Sequence, residues 1–406
     1  MFTKSRIFLI MLTAAGLVIF SKAEAQYTLN SDSAFKSGSA NSGRIWGYAF
    51  GDVAYKSHSD SLNRGGSNQY TGVPQSKTAF SFRRIYLGYD YNISKKFSAE
   101  LLLAAEDNFN QTSLAGVNTT SGDLLTNNKY AFYIKLANIR WKNIWKGTDL
   151  VVGQVSTPSF PLLTEKVWSY RSIERTIADI RRTPSFDMGA TLQGKFDSKG
   201  NYGYNLMVGN GTSAKPENDK FKWFYGDVFA MFMDKKLVFD LYADYERLNW
   251  VDGFHHSRNM IKGFAAYNTP ALTIGLEAFV NRGSKDVVGV IGTSKDTLDA
   301  TSTGISAYVH GDIVKGKLRY FARYDSYNPD NNYNNTIYSK YTGFTSNYEP
   351  SNKENFFTLG LDFMPAKNVH FMPNVWYNQY ITKQAGPSNT DHDVVYRITF
   401  YYVFGK

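Results

Sequence analysis

Between residues 43 and 404 the chain divides into about sixteen stretches in which apolar and polar residues alternate one by one, and the connections between them alternate short and long. The last stretch is the clearest. Tyr396, Ile398, Phe400, Tyr402 and Phe404 alternate with Arg397, Thr399 and Tyr401. A period of two belongs to a β-strand whose two faces meet different surroundings. The expected strands are 43–57, 79–92, 96–108, 129–142, 148–156, 187–197, 202–210, 222–234, 236–248, 258–268, 271–283, 303–313, 316–327, 354–364, 368–380 and 392–404. Short connections fall at 93–95, 143–147, 197–201, 234–235, 269–270, 314–315 and 365–367. Long ones fall at 58–78, 109–128, 157–186, 211–221, 249–257, 284–302, 328–353 and 381–391. An even strand count with tight turns at one end and long loops at the other predicts a transmembrane antiparallel up-and-down β-barrel, all-β, with both chain ends on the periplasmic side. A soluble β-sandwich rarely keeps such regularity over so many hairpins.

The N-terminus supports export. Lys4 and Arg6 precede an apolar run from Ile7 to Phe20, and Ala23-Glu24-Ala25 precedes Gln26. This reads as a signal peptide over 1–25, its core too short for a spanning helix. Residues 26–42, rich in Ser, Asn and Gly, read as a flexible periplasmic segment, and 43–406 as the barrel. Mean hydropathy is on the polar side of zero. That is no obstacle, because lumen-facing residues dilute every strand of a barrel. The aromatic content of 16%, with 29 Tyr and 29 Phe, suits girdles at two membrane interfaces. There is no cysteine, so stability must come from the closed sheet.

The formal charge is +10. Loss of Lys4, Arg6, Lys22 and Glu24 with the signal peptide removes three positive charges and one negative, leaving +8. This excess favours anionic solutes or lipopolysaccharide. Basic residues interspersed with Asp and Glu argue against nucleic acid.

Parity assigns the faces. In 237–248, Leu237, Phe239, Leu241, Ala243 and Tyr245 should face lipid, with Asp240, Tyr242, Asp244 and Glu246 in the lumen. Arg84, Arg319, Arg323, Asp325, Asp362 and Arg397 are assigned to the lumen by the same rule. A charge on the lipid face at mid-membrane would cost about 2–4 kcal/mol. About sixteen strands also leave an aqueous channel, whereas about eight would be filled by side chains.

The longest loop, 157–185, differs from its Asn- and Ser-rich neighbours. It carries Leu162, Leu163, Val167, Trp168, Ile173, Ile177 and Ile180 at roughly helical spacing, bracketed by Pro158, Pro161 and Pro184. An amphipathic loop must pack against something, and the inner wall is the surface available. We therefore expect it to fold inward and narrow the pore. It carries Lys166, Arg171, Arg175, Arg181 and Arg182 against Glu165, Glu174 and Asp179. Arg and Lys at a constriction favour anions. In the competing reading these charges pair with wall carboxylates such as Asp240, Asp244 and Glu246 and fasten the loop.

The segments VVGQVSTPSFP, Arg181-Arg182, MGATLQGKF, RRIYLGYDYNISKKFSAELLL and RYFARYD resemble the outer-membrane porin superfamily, in particular the phosphate-selective porin O/P group of Bacteroidota. The resemblance implies a sixteen-stranded barrel, commonly trimeric, with the third outside loop folded into the pore and a ladder of lumenal Arg and Lys for phosphate. Here Arg171, Arg175, Arg181 and Arg182 in the loop, and Arg84, Arg319, Arg323 and Arg397 on the strands, match that region among acidic residues. Phe404, the expected assembly signal, is followed by Gly405 and Lys406 where many such barrels end.

Other chemistry is thin. Six histidines, His58, His255, His256, His310, His370 and His392, show no metal-ligand spacing, so no metal site is expected, and His255-His256 reads as a solvated pair. Residues 325–335 lack the closing Glu of a calcium loop. Nucleophile-elbow and nucleotide-binding signatures are missing, so neither enzyme activity nor a cofactor is expected. The functional expectation is passive diffusion of small hydrophilic solutes or inorganic anions through an outer-membrane homotrimer. The alternative is a surface binding protein or adhesin anchored by a closed barrel.

Overall fold

The computed structural model describes residues 40–65, 68–71, 73–106, 132–181, 183–249, 255–344, 350–383 and 390–405. The signal-peptide and N-terminal-segment expectations, and Arg182, lie outside these residues.

The strands are β1 (Ser42–His58), β2 (Thr78–Asn92), β3 (Phe97–Glu106), β4 (Tyr133–Trp145), β5 (Thr148–Ser156), β6 (Phe186–Lys195), β7 (Tyr202–Gly209), β8 (Trp223–Phe232), β9 (Leu237–Asn249), β10 (His255–Asn268), β11 (Thr273–Ile291), β12 (Ser294–Val314), β13 (Leu318–Asn328), β14 (Gly343–Phe344), β15 (Asn352–Ala366), β16 (Val369–Thr382) and β17 (Thr390–Phe404). Each pairs antiparallel with its neighbour, and β1 pairs with both β2 and β17, so the sheet closes. The two-residue β14 only caps the tip of β11. The remaining sixteen form the closed antiparallel barrel. Closure satisfies every edge, which is what lets a sheet cross lipid.

Burial alternates with the same period of two along the strands. Leu241, Tyr245, Leu359, Tyr396 and Tyr402 are exposed on the outer wall, while Asp240, Asp244, Glu246, Arg319, Arg323, Asp362 and Arg397 are buried on the inner one. No helix among the described residues is long and apolar enough to span a membrane.

Two expectations need correction, the long loop at 284–302 and the solvated His255-His256 pair, since His256 is buried on β10 and meets Asp286 at 2.9 Å. Residues 284–302 are not a long loop. β11 and β12 continue past the Gly283/Val287 irregularity, with Val287 opposite Leu298, to a turn at Gly292 and Thr293. The bulge breaks the alternation, so the outer hairpin reads as loop. The roughly helical spacing in 157–185 takes the form of two short helices, α1 (Thr164–Trp168) and α2 (Ile177–Arg181). Ser169 takes a left-handed conformation, φ 62°, and ends the first.

Candidate functional site: a loop crossing the lumen

The loop 157–185 leaves β5 and returns to β6. In a ring of sixteen strands the wall opposite is β13 and β15. The loop reaches it. Tyr170 donates to Asp362 of β15 at 3.2 Å, and Arg181 makes a two-pronged contact with Glu354 of β15 at 3.1 and 2.8 Å. Three loop carbonyls accept from wall arginines. Ser172 receives Arg83 of β2 at 2.7 Å, Ile173 receives Arg397 of β17 at 2.6 Å, and Arg175 receives Arg323 of β13 at 2.7 Å. Trp376 of β16 donates to the Glu174 carboxylate at 2.9 Å, and His310 of β12 meets the Val167 carbonyl at 3.0 Å. Backbone groups with no regular partner are thereby satisfied deep in the barrel.

Packing completes the anchorage. Leu163, Val167, Trp168, Tyr170 and Ile173 form one buried cluster with Val238, Phe264, Tyr308, Phe321 and Met372 of the wall. Ile177 joins a second with Val151, Trp223, Tyr242 and Phe279. Gly304 leaves the space this needs, since a Cβ there would stand 2.3 Å from the Phe279 ring and 3.1 Å from Ile177.

Arg171 pairs with Glu165 and, at 2.8 Å, with Asp179. Arg175 lies 3.8 Å from Asp179 and 4.0 Å from Glu174, and keeps about a fifth of its side chain open at 21%. Lys166 on α1 is half-buried. Arg323 grips Asp325 at 2.8 and 2.5 Å and lies over Trp168. Arg319 meets Asp312 at 2.9 Å. Arg84 pairs with Glu106 at 2.9 Å. The wall carboxylates expected to fasten the loop are held by the wall instead. Asp240 binds Lys262 at 3.1 Å, Asp244 accepts from Tyr242 at 2.7 Å, and Glu246 lies 3.8 Å from Arg258. Arg171 and Arg175 face the loop's own acids and Arg181 holds Glu354 of β15, while the loop meets β9 through apolar side chains, Val238 and Tyr242.

Burial raises the Asp179 carboxyl, but the Arg171 and Arg175 guanidiniums outweigh it and hold it below its ordinary value. Glu174 is held low in the same way, burial being outweighed by Arg175 and Arg83.

Sequence reasoning missed Arg83 and Lys135. Each is the extra residue of a β-bulge, so each points inward beside an inward neighbour: Phe50 faces Arg84 while Gly51 faces Phe82, and Leu102 faces Leu136 while Leu103 faces Ile134. The signal was present as a phase jump. The outer set runs Phe80, Phe82, then Ile85, and Ile134 is followed by Ala137 and Ile139. Both cations matter to the lumen: Lys135 shares Glu106 with Arg84 at 3.0 Å, and Arg83 and Arg397 both lean on Asp52 at 3.5 and 3.7 Å. The inward turn of the β1–β2 loop was also missed. Its Tyr70 is buried, donating to Asp52 at 2.8 Å and packing on Trp376.

No protein-family model and no curated protein matches the sequence. Solved structures do match the fold. The outer membrane channel DcaP of Acinetobacter baumannii superposes with a TM-score of 0.61 at 12% identity, covering 90% of this chain and 98% of that one. An anion-selective porin from Comamonas acidovorans gives 0.55 at 12% identity, over 90% and 100%. The trimer form of OmpT, an outer membrane protein of Vibrio cholerae, gives 0.55 at 9% identity, over 90% and 100%. The chain therefore shares the sixteen-stranded barrel of such proteins.

Proposed function

We propose that this protein is an outer-membrane porin that passes small hydrophilic solutes by diffusion and prefers inorganic anions such as phosphate. One observation carries the reading: a closed barrel with a charged inner wall is crossed from β5 to β15 by a loop that brings Arg171, Arg175 and Arg181 into the lumen. The mechanism has no covalent step. Solute passes where radius and charge allow, and lumenal Arg lowers the barrier for anions. Arg83 and Arg397 sharing the single carboxylate of Asp52 supports the sign of that preference. The anion-selective porin among the similar structures supports it too, and the trimeric form of OmpT supports a homotrimer in which part of the lipid-facing wall is covered.

The test is single-channel conductance in planar bilayers with reversal potential in a salt gradient. Stable steps with an anion-favouring potential are expected. Replacing Arg171, Arg175, Arg181 and Arg182 together by Ala should move the potential toward cations, because Glu165, Asp179 and Glu354 then lose their loop arginines. An unchanged potential removes them from the mechanism. A second reading, an anchored surface binding protein or adhesin, is favoured by the way both the β1–β2 and β5–β6 loops pack into buried clusters inside the barrel. A folded but silent barrel would select it.

A further inference from the structure

His58 is the last residue of β1, and Asp391 and His392 stand at the start of β17, so the pairing that closes the barrel brings the three together at its outer-loop end. Residues 333 positions apart thereby form a cluster that no sequence spacing could reveal. The Asp391 Oδ1 lies 2.8 Å from His58 Nε2 and 3.8 Å from His392 Nδ1. One ligand atom from each residue lies within 4.8 Å of the other two. The imidazoles stack with centroids 4.3 Å apart.

The surroundings favour a ligand set over a chance encounter. The other Asp391 oxygen accepts the Ser61 N–H at 2.8 Å, which fixes the carboxylate with Oδ1 toward the rings. The His392 ring packs against Tyr377 at 5.2 Å. Such outer contacts orient metal ligands. His58 and His392 are more than a third exposed, at 38% and 37%, so water can fill a remaining position and neither ring pays heavily to move. A tetrahedral ion with bonds of ~2.0–2.1 Å holds its ligand atoms roughly 3.3 Å apart, so small ring rotations close the set. Two imidazoles with one carboxylate suit Zn²⁺, Co²⁺, Ni²⁺ or Cu²⁺ better than the harder Ca²⁺ or Mg²⁺.

We propose that His58, Asp391 and His392 bind a divalent transition-metal ion of the Zn²⁺ type, with water completing its coordination, and that the ion ties the first strand to the last across the closing seam. The site is independent of the channel reading, since it sits at the end of the seam and not on the crossing loop. Binding would stabilise the barrel by mass action.

The experiment uses the full-length, untagged protein folded in detergent and stripped with chelator, titrated with Zn²⁺ by calorimetry and with Co²⁺ by visible absorption. One ion per chain is expected, with affinity at least tenfold lower in His58→Ala and in His392→Ala. Zn²⁺ should also shield His58 and His392 of the unaltered protein from diethylpyrocarbonate, read by mass spectrometry, which decides the matter even if a variant folds poorly. An absence of stoichiometric binding, affinity unchanged in His392→Ala, or rings equally reactive with and without Zn²⁺ would each overturn the proposal and leave the cluster as a hydrogen-bonded clasp.

Discussion

Among the described residues, two outer loops turn into this barrel, and the balance of forces holding them differs. The β5–β6 loop, 157–185, adds to its polar contacts a large apolar burial, with Phe160, Val167, Trp168, Ile173 and Ile177 all nearly inaccessible. The β1–β2 loop, 59–77, is fastened chiefly by polar contacts. Asp60 clasps Arg64 at 2.6 Å, Asn68 donates to Glu354 at 2.7 Å, Lys56 donates to the Tyr70 carbonyl at 2.8 Å, and Tyr70 reaches Asp52. Both converge on Glu354, which takes Asn68 and Arg181 together. The difference teaches which kind of loop a sequence can betray. Apolar side chains in an outside loop are anomalous in water and announce a partner surface. Ser, Asn and Gly read as solvated whether they are or not.

The comparison can be broken most forcefully at Trp168. Trp168→Ala removes the ring from the larger cluster and should cost about 3–5 kcal/mol of loop docking, seen as noisier, larger conductance steps and new protease sensitivity in 157–185, with the β1–β2 loop still protected. Arg397→Leu comes next. It strips the Ile173 carbonyl of a buried donor and Asp52 of a buried cation, a class of change that costs about 3–5 kcal/mol, and it should lower the thermal midpoint of the folded barrel while loosening both loops. Gly304→Val tests apolar docking alone, since the added atoms collide with Phe279 and Ile177. Overpacking of this kind costs about 1–3 kcal/mol, and hydrogen exchange should quicken at α2 but not at Tyr70.

Tyr70→Phe is the polar counterpart, deleting the hydroxyl that donates to Asp52, a bond worth about 1 kcal/mol. Exchange should quicken in 59–77 and stay unchanged in 157–185. Acidification is the mildest probe. Burial raises the Asp60 carboxyl, and Arg64 lowers it further than that, so the net shift is downward, as for Glu174 and Asp179. Carboxylates held low stabilise the docked loops above the unfolded value of about 4, and that support fades as pH falls through their lower folded values. Conductance should therefore be steady from neutrality to about pH 4 and become noisier below it. Equal noise at pH 7 and pH 3 would show that packing alone holds the loops.

Most of the barrel was legible because its two faces differ, an apolar exterior and a polar interior, and a two-residue period records that directly. Leu241 against Asp240, or Leu361 against Asp362, could be placed by counting. Counting failed where backbone geometry changed phase. The bulges at Arg83 and Lys135 each turn an extra cation inward, and the one between Gly283 and Val287 hides the extended β11–β12 hairpin. Loop charges such as Arg171 and Arg181 could be named from the sequence, but their partners could not, since Glu354 lies 173 residues from Arg181.

The sequence by itself determined the strand order, the inside and outside of each regular strand, and the loop too apolar to remain in water. These follow from local periodicity and transfer free energy. The tertiary structure alone decided which wall the loop meets, that a polar loop joins it, which carboxylate each arginine holds, and that His58 meets His392. Those depend on closure, because β1 beside β17 and β5 across from β15 become neighbours or opposites only when the sheet is a ring.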